Sequence, residues 1–349
     1  MLMISTLRRG AALGFAALLA AGASASGQTA EDFYKSKPQL TMIVPTAPGG
    51  GYDSYARLLA RYMSKYIPGK PAIVASNMPG GGGIGAANFL YNVAPKDGTV
   101  LGILDRGSPT APLLYGEESK AHFDAAKYSW IGSAMAETGM GVVSVKAPAT
   151  TIEDIKKTEV FFGATGPETD PAMNARLLND LIGTKIKVIN GYKGQPEEFL
   201  AVEKGEIHGL FMSGWSGPGR AYVREQMAKG TMKLLVQMSA TRDPMHEDTP
   251  TILDVVPAGD RPIVEMLLAR LALGRPFVAP PGVPADRVEL LRLAFRHAME
   301  DPELLAEAAA QKLATNPTWG AEAQTLVVKM YQTPPALMER IRKIVRVAE

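Results

Sequence analysis

Short apolar runs alternate with helical patterns along most of the chain, and nearly every run closes in a turn rich in glycine and proline. Leu40-Thr41-Met42-Ile43-Val44-Pro45 has the length and apolarity of a buried strand. Pro48-Gly49-Gly50-Gly51 follows as a turn, and Tyr52, Tyr55, Leu59, Tyr62 and Tyr66 then recur on one helix face. The pattern repeats with a strand at 72–75, a turn at 79–83 and a helix at 84–92. A third strand, 99–104, ends at Asp105-Arg106-Gly107-Ser108. Further strands are predicted at 159–162, 187–189, 207–212 and 233–238, with a helix opened by Pro196, and beyond Met238 the pattern is mostly helical. Asp170-Pro171 and Asp301-Pro302 read as helix starts. The aspartate oxygen accepts from first-turn amides, and the proline sits where a missing N–H costs nothing. Strands alternating with helices across such turns predict an α/β fold.

The first 25 residues depart from this pattern. Arg8 and Arg9 precede an apolar stretch at 11–21, and Ala23-Ser24-Ala25 fits a small-residue cleavage site, so a signal peptide removed near Ala25 is expected, with the mature protein in the periplasm. The stretch falls well short of the roughly 20 residues of a spanning helix. Gly10-Ala11-Ala12 after the arginine pair favours general secretion over twin-arginine export.

Composition narrows the chemistry. A chain of 349 residues predicts about two domains, and the absence of cysteine excludes disulfides, thiol nucleophiles and cysteine metal sites. The four histidines, His122, His208, His246 and His297, stand too far apart for a local metal motif, and no cofactor is expected. Arg8 and Arg9 account for the whole formal charge of +2, so the mature chain is neutral and has no general attraction for nucleic acid.

The turns themselves suggest a ligand. Open α/β sheets bind small molecules at the carboxyl ends of their strands, where glycine-rich loops present amides and helix N-termini favour negative charge. An anion is therefore expected. Two enzyme readings compete. Gly80-Gly81-Gly82-Gly83-Ile84-Gly85 satisfies G-x-G-x-x-G, and Asp105 lies where a dinucleotide fold places its ribose-binding acid, but four consecutive glycines make that match easy. Gly214-Trp215-Ser216-Gly217-Pro218 misses the hydrolase elbow at its last position. Trp130 and Trp319 read as core or domain-contact residues.

Taken together, Pro45 to Asp53, Asn77 to Ala86, Ala94-Pro95-Lys96-Asp97-Gly98-Thr99, Gly191-Tyr192-Lys193-Gly194, Lys204-Gly205-Glu206-Ile207, Thr249-Pro250-Thr251 and Ala279 to Pro284 resemble the substrate-binding proteins of tripartite tricarboxylate transporters, the Bug family. The resemblance spans nearly the whole mature chain. It implies a two-lobed, type II periplasmic binding fold with hinge strands: lobe 1 at 38–131 and 236–349, lobe 2 at 132–235. It also implies a monomeric receptor that performs no covalent chemistry, with a small organic acid as ligand and transporter membrane subunits as partners. A carboxylate-sensing receptor for a signalling partner is the alternative of the same fold.

The implied ligand contacts in lobe 1 are Thr46, Ala47, Pro48, Gly49, Gly50, Gly51, Tyr52 and Asp53, then Pro79, Gly80, Gly82, Gly83 and Gly85, then Arg106 and Ser108. Those in lobe 2 are Thr165, Gly166, Glu168, Thr169, Asp170, Gly191, Tyr192, Met212, Ser213 and Trp215. Asp53 is assigned to organising loop amides or waters. Met212 stands where the family frequently has an acid, which disfavours a cationic amino group on the ligand, and Met212 and Trp215 offer apolar surface instead. Glu168 and Asp170 would repel a second carboxylate unless Asp170 only caps its helix and Glu168 points outward, so a monocarboxylate is favoured over a tricarboxylate.

Overall fold

The computed structural model describes residues 28–167, 169–212, 214–215 and 217–346; the expected leader, Glu168 and Ser213 lie outside the described residues. Among the described residues, eleven strands form two sheets: β1 (Gln39–Val44), β2 (Ala72–Asn77), β3 (Val100–Ile103), β4 (Ser129–Ser133), β10 (Pro276–Ala279) and β11 (Thr318–Trp319) in one, and β5 (Gly139–Ser144), β6 (Val160–Ala164), β7 (Ile186–Asn190), β8 (Gly209–Met212) and β9 (Met232–Met238) in the other. The first sheet has the order β11-β4-β10-β3-β1-β2, and the second β7-β6-β8-β5-β9. β1 pairs in parallel with β2 and β3, and β6 with β7 and β8, so the turns that follow these strands emerge at one end of each sheet. β10 and β5 run against their neighbours, which lets the chain leave one sheet and return to it.

The helix Gly51–Tyr66 buries Tyr55, Leu58, Leu59, Tyr62 and Met63 against the first sheet, following the predicted stripe. Tyr66 departs from it. It ends the helix 38% exposed, and its hydroxyl donates to Asp301 Oδ2 at 2.9 Å. Asp301 caps the helix Pro302–Ala310 by accepting from the Glu303 amide at 2.8 Å. Trp130 is fully buried, its indole N–H held by the Ala125 carbonyl. β10 and β11 fall in a segment whose pattern reads as helical. Both are short, and β10 is buried throughout, so neither shows the alternation that marks a strand.

The chain passes from β4 to β5 through 134–138 and leaves the second sheet after β9. One continuous core joins the two lobes: Ile43, Leu90 and Trp130 of the first connect through Met238, Leu267 and Leu271 to Phe162 and Phe211 of the second. The C-terminal helix Pro335–Val345 buries Met338, Ile341 and Ile344 and packs against both the Ala111–Tyr115 helix and the Asp170–Ile182 helix. Arg176 fixes it from the second lobe, donating to the Val345 carbonyl at 2.8 Å.

Candidate functional site

Between the lobes, at the carboxyl ends of β3, β6 and β8, lies a cavity of about 600 Å³. The loop after β3 contributes Asp105, Arg106 and Gly107 to its wall, and the short helix that follows adds Leu114 and Tyr115. Opposite them stand Thr165, Thr169 and Asp170, the start of the helix Gln195–Lys204, and Phe211 of β8. Arg270, from the helix Arg261–Ala272, completes the wall.

A chain of alternating charges runs across the site. Arg106 Nη2 lies 2.8 Å from Asp170 Oδ2, and Asp170 Oδ1 accepts from Arg270. Arg106 also pairs with Glu137 of the lobe crossing, and Glu137 Oε1 accepts from Arg275 at 3.2 Å. The Arg275 guanidinium stacks 4.6 Å from the Tyr52 ring centroid, and the Tyr52 hydroxyl accepts from the Arg106 amide at 3.0 Å. Three guanidinium groups thus share two carboxylates, which fixes the loop after β3 against both the crossing and the second lobe.

Asp170 does not play the role expected of it. Thr169 is the N-cap of the Asp170–Ile182 helix, without a side-chain cap bond, and Asp170 is already inside the first turn. Its carboxylate turns instead to the two arginines, because a pair of guanidinium donors is a stronger partner than helix amides. Its charge is neutralised there rather than left to face the ligand.

The glycine-rich turns occupy a different part of the lobe. Ala47 to Gly51 and Pro79 to Gly82 stand exposed at the ends of β1 and β2, on the same side of the sheet as the cavity but outside its wall. Asp53, 3% exposed, organises them: Oδ2 accepts from the Gly49 amide at 2.8 Å and from Arg57 Nε at 2.9 Å, and Oδ1 accepts from Asn77 Nδ2 at 2.9 Å. The Arg57 bond, followed by those of Gly49 and Asn77, outweighs burial and lowers the Asp53 carboxyl to about 2. Asn77 also donates to the Thr46 carbonyl, tying both turns together. Gly83, with φ of 87°, backs onto Asp105: a Cβ there would stand 2.9 Å from the Asp105 Cβ. Asp105 Oδ1 accepts from the Gly107 amide at 2.8 Å, closing its own turn. Ser108 is buried behind this loop, and Gly85 is exposed in the first turn of the helix Ile84–Asn92.

In the second lobe, the Thr169 hydroxyl donates to the Gly166 carbonyl at 2.7 Å and shapes the loop after β6. Gly191, at φ of 110°, turns the chain after β7, and Tyr192 packs on the second-lobe core. Met212 is fully buried, and Trp215, 6% exposed, has its ring 5.4 Å from that of His246. The apolar surface of both is spent in the core rather than in the wall of this cavity.

Sequence reasoning missed Arg270, Glu137, Arg275 and Glu198. None stands in a motif that marks it, and only the packing of distant segments brings it into the cavity wall or into the charge chain behind it. Glu198 is 2% exposed, and its Oε1 is sealed from solvent without a hydrogen-bond partner. Desolvation pushes its carboxyl up to about 7. Among the described residues, no cluster of histidine and acidic side chains is arranged to hold a metal ion.

The profile described as "Tripartite tricarboxylate transporter family receptor" matches residues 55–341. A UPF0065 protein from the TAR-I ttuE-ttuC' intergenic region of Agrobacterium vitis is 29% identical over 327 residues, covering 90% of this chain and 86% of that one. A TctC solute binding protein from Polaromonas superposes with a TM-score of 0.69 at 20% identity, over 89% of this chain and 99% of its own. Two proteins of Rhodopseudomonas palustris share the fold: MatC with bound malate (TM-score 0.53, 19% identity, 88% and 99% coverage) and Rpa4515 with adipate (0.55, 20%, 88% and 97%). With its two α/β lobes and the cleft between them, the chain belongs to the tripartite tricarboxylate transporter receptor family and is a solute-binding receptor rather than an enzyme.

Proposed function

We propose that this receptor captures a small organic carboxylate in the cavity between its lobes and delivers it to the membrane subunits of a tripartite tricarboxylate-type transporter. The leading observation is the pair Arg106 and Arg270, which reach the cavity wall from separate segments and converge on Asp170. Guanidinium groups suit planar carboxylates, and Asp170 already occupies them as a carboxylate would. The malate and adipate held by the two Rhodopseudomonas proteins agree with this ligand class.

Charge in the wall argues for few carboxyl groups. Arg106 and Arg270 are matched by Asp105 and Asp170, leaving no surplus of positive charge for a citrate-like trianion. A monocarboxylate, or a dicarboxylate whose far end reaches the exposed glycine turns, fits better. The segments 38–131 and 236–349 act as one body and 132–235 as the other, and ligand contacts from both favour the closed state. Residues 1–25 direct the chain to the periplasm.

Thermal melting of residues 26–349 against benzoate, propionate, malate, adipate, citrate, aspartate and NAD tests this reading. Ligand at 100 times its dissociation constant adds about 2.7 kcal/mol of stability. A shift with carboxylates is expected; a shift with NAD alone, or with none of the panel, overturns it.

A further inference from the structure

Glu198 stands apart from every other acid at the site. It lies in the first turn of the helix Gln195–Lys204, in the cavity wall, and is 2% exposed. Gly163 of β6 lies against its side chain and Phe211 of β8 shares the cavity wall, and neither brings a charge. Its Oε1 is sealed and unpartnered. Among the described residues, the other charged groups lining the cavity are Asp105, Arg106, Asp170 and Arg270, and both arginines are engaged by Asp170. Tyr192 packs beside it, and Glu197 is its acidic neighbour on the helix. An ionised carboxylate so placed would have one oxygen cut off from water with no partner in its place. It would also repel the anion that the arginines attract.

Building on the carboxylate reading above, we infer that Glu198 meets the ligand as a neutral carboxylic acid and donates its proton in a hydrogen bond to a ligand carboxylate oxygen, so that capture takes up a proton from solvent. Ligand-free Glu198 titrates near neutrality, because burial holds it at about 7. Below that pH the acid is ready to donate. Above it, Glu198 must first take up a proton from solvent before it can donate to the ligand, so affinity falls as pH rises.

Isothermal titration of residues 26–349 with benzoate, malate and adipate, in buffers of different ionisation enthalpy, measures both affinity and proton uptake. The expected result is a dissociation constant about tenfold weaker at pH 8 than at pH 6, with about half a proton taken up at pH 7. Glu198→Gln keeps an N–H donor but cannot titrate, so its affinity should be level across that range with no proton uptake at this site. A carboxylate that binds the unaltered protein without proton uptake overturns the inference and leaves the receptor reading standing. Affinity that rises with pH overturns it by showing an ionised Glu198 that favours the ligand. Failure of all three probes to bind, with propionate, citrate and aspartate silent as well, overturns both.

Discussion

Asp170 Oδ2 lies 2.8 Å from Arg106 Nη2, and this contact joins the first turn of a second-lobe helix to the loop after β3 in the first lobe. The same carboxylate accepts from Arg270. Asp170 therefore serves as an internal anion for both arginines of the cavity wall.

Replacing Asp170 with asparagine removes that anion while keeping its volume. Two charge-assisted bonds weaken, and the ligand-free protein is expected to lose about 1–3 kcal/mol. The freed guanidinium groups then become available, so adipate binding should tighten several-fold. Urea denaturation and calorimetry give the two quantities separately; unchanged affinity would show that the arginines do not face the ligand.

Asp53 predicts a specific acid sensitivity. Its carboxyl is lowered to about 2 in the folded chain, from an ordinary value near 4, so its contribution is complete above about pH 4 and is lost as pH falls toward 2. The difference corresponds to about 2 kcal/mol. Between pH 5 and pH 2.5 the unaltered protein should therefore lose more stability than Asp53→Asn does, and equal losses in chemical denaturation would refute the assignment.

Two glycines of one turn should respond differently to alanine. Gly81 and Gly83 both have positive φ, so each substitution costs about 1–2 kcal/mol in backbone strain. Around Gly81 a Cβ meets nothing within 4 Å, whereas at Gly83 it collides with Asp105 and Pro45. Gly83→Ala should cost about 1–3 kcal/mol more, and by displacing the loop that carries Arg106 it should also weaken carboxylate binding. Gly81→Ala should leave binding close to that of the unaltered protein, as thermal melting with and without adipate would reveal.

The C-terminal helix is expected to be structural. Ile341 is fully buried in the core that the two lobes share, so Ile341→Ala should cost about 2–5 kcal/mol. Circular dichroism melts should show one cooperative transition displaced to lower temperature. A loss below 1 kcal/mol would mean that the helix is not packed as described.

Much of this architecture was legible before folding. The strand of Leu40 to Pro45, the turn of Pro48 to Gly51 and the helix of 84–92 each carry their own local signal, because apolar runs, glycine turns and helical spacing act over a few residues. The assignment of Asp53 to its turn rested on the family resemblance, and its bond with the Gly49 amide, four residues away, is a local one. Asp170 shows the limit of such reading. Its sequence context is that of a helix cap, and only the arrival of Arg106 and Arg270 from 64 and 100 residues away redirects its carboxylate.

By itself the sequence determined the alternation of strands and helices, the glycine turns at strand ends, the absence of thiol chemistry and the family likeness, all properties set by neighbouring residues or by composition. The tertiary structure alone decided which charges meet. Arg106, Glu137, Asp170, Glu198, Arg270 and Arg275 come from separate elements, and the pairing of the others and the raised carboxyl of Glu198 depend on burial and on distances that exist only once the two lobes pack over one core. Coulombic attraction and desolvation act through space rather than along the chain, so no local pattern could announce them.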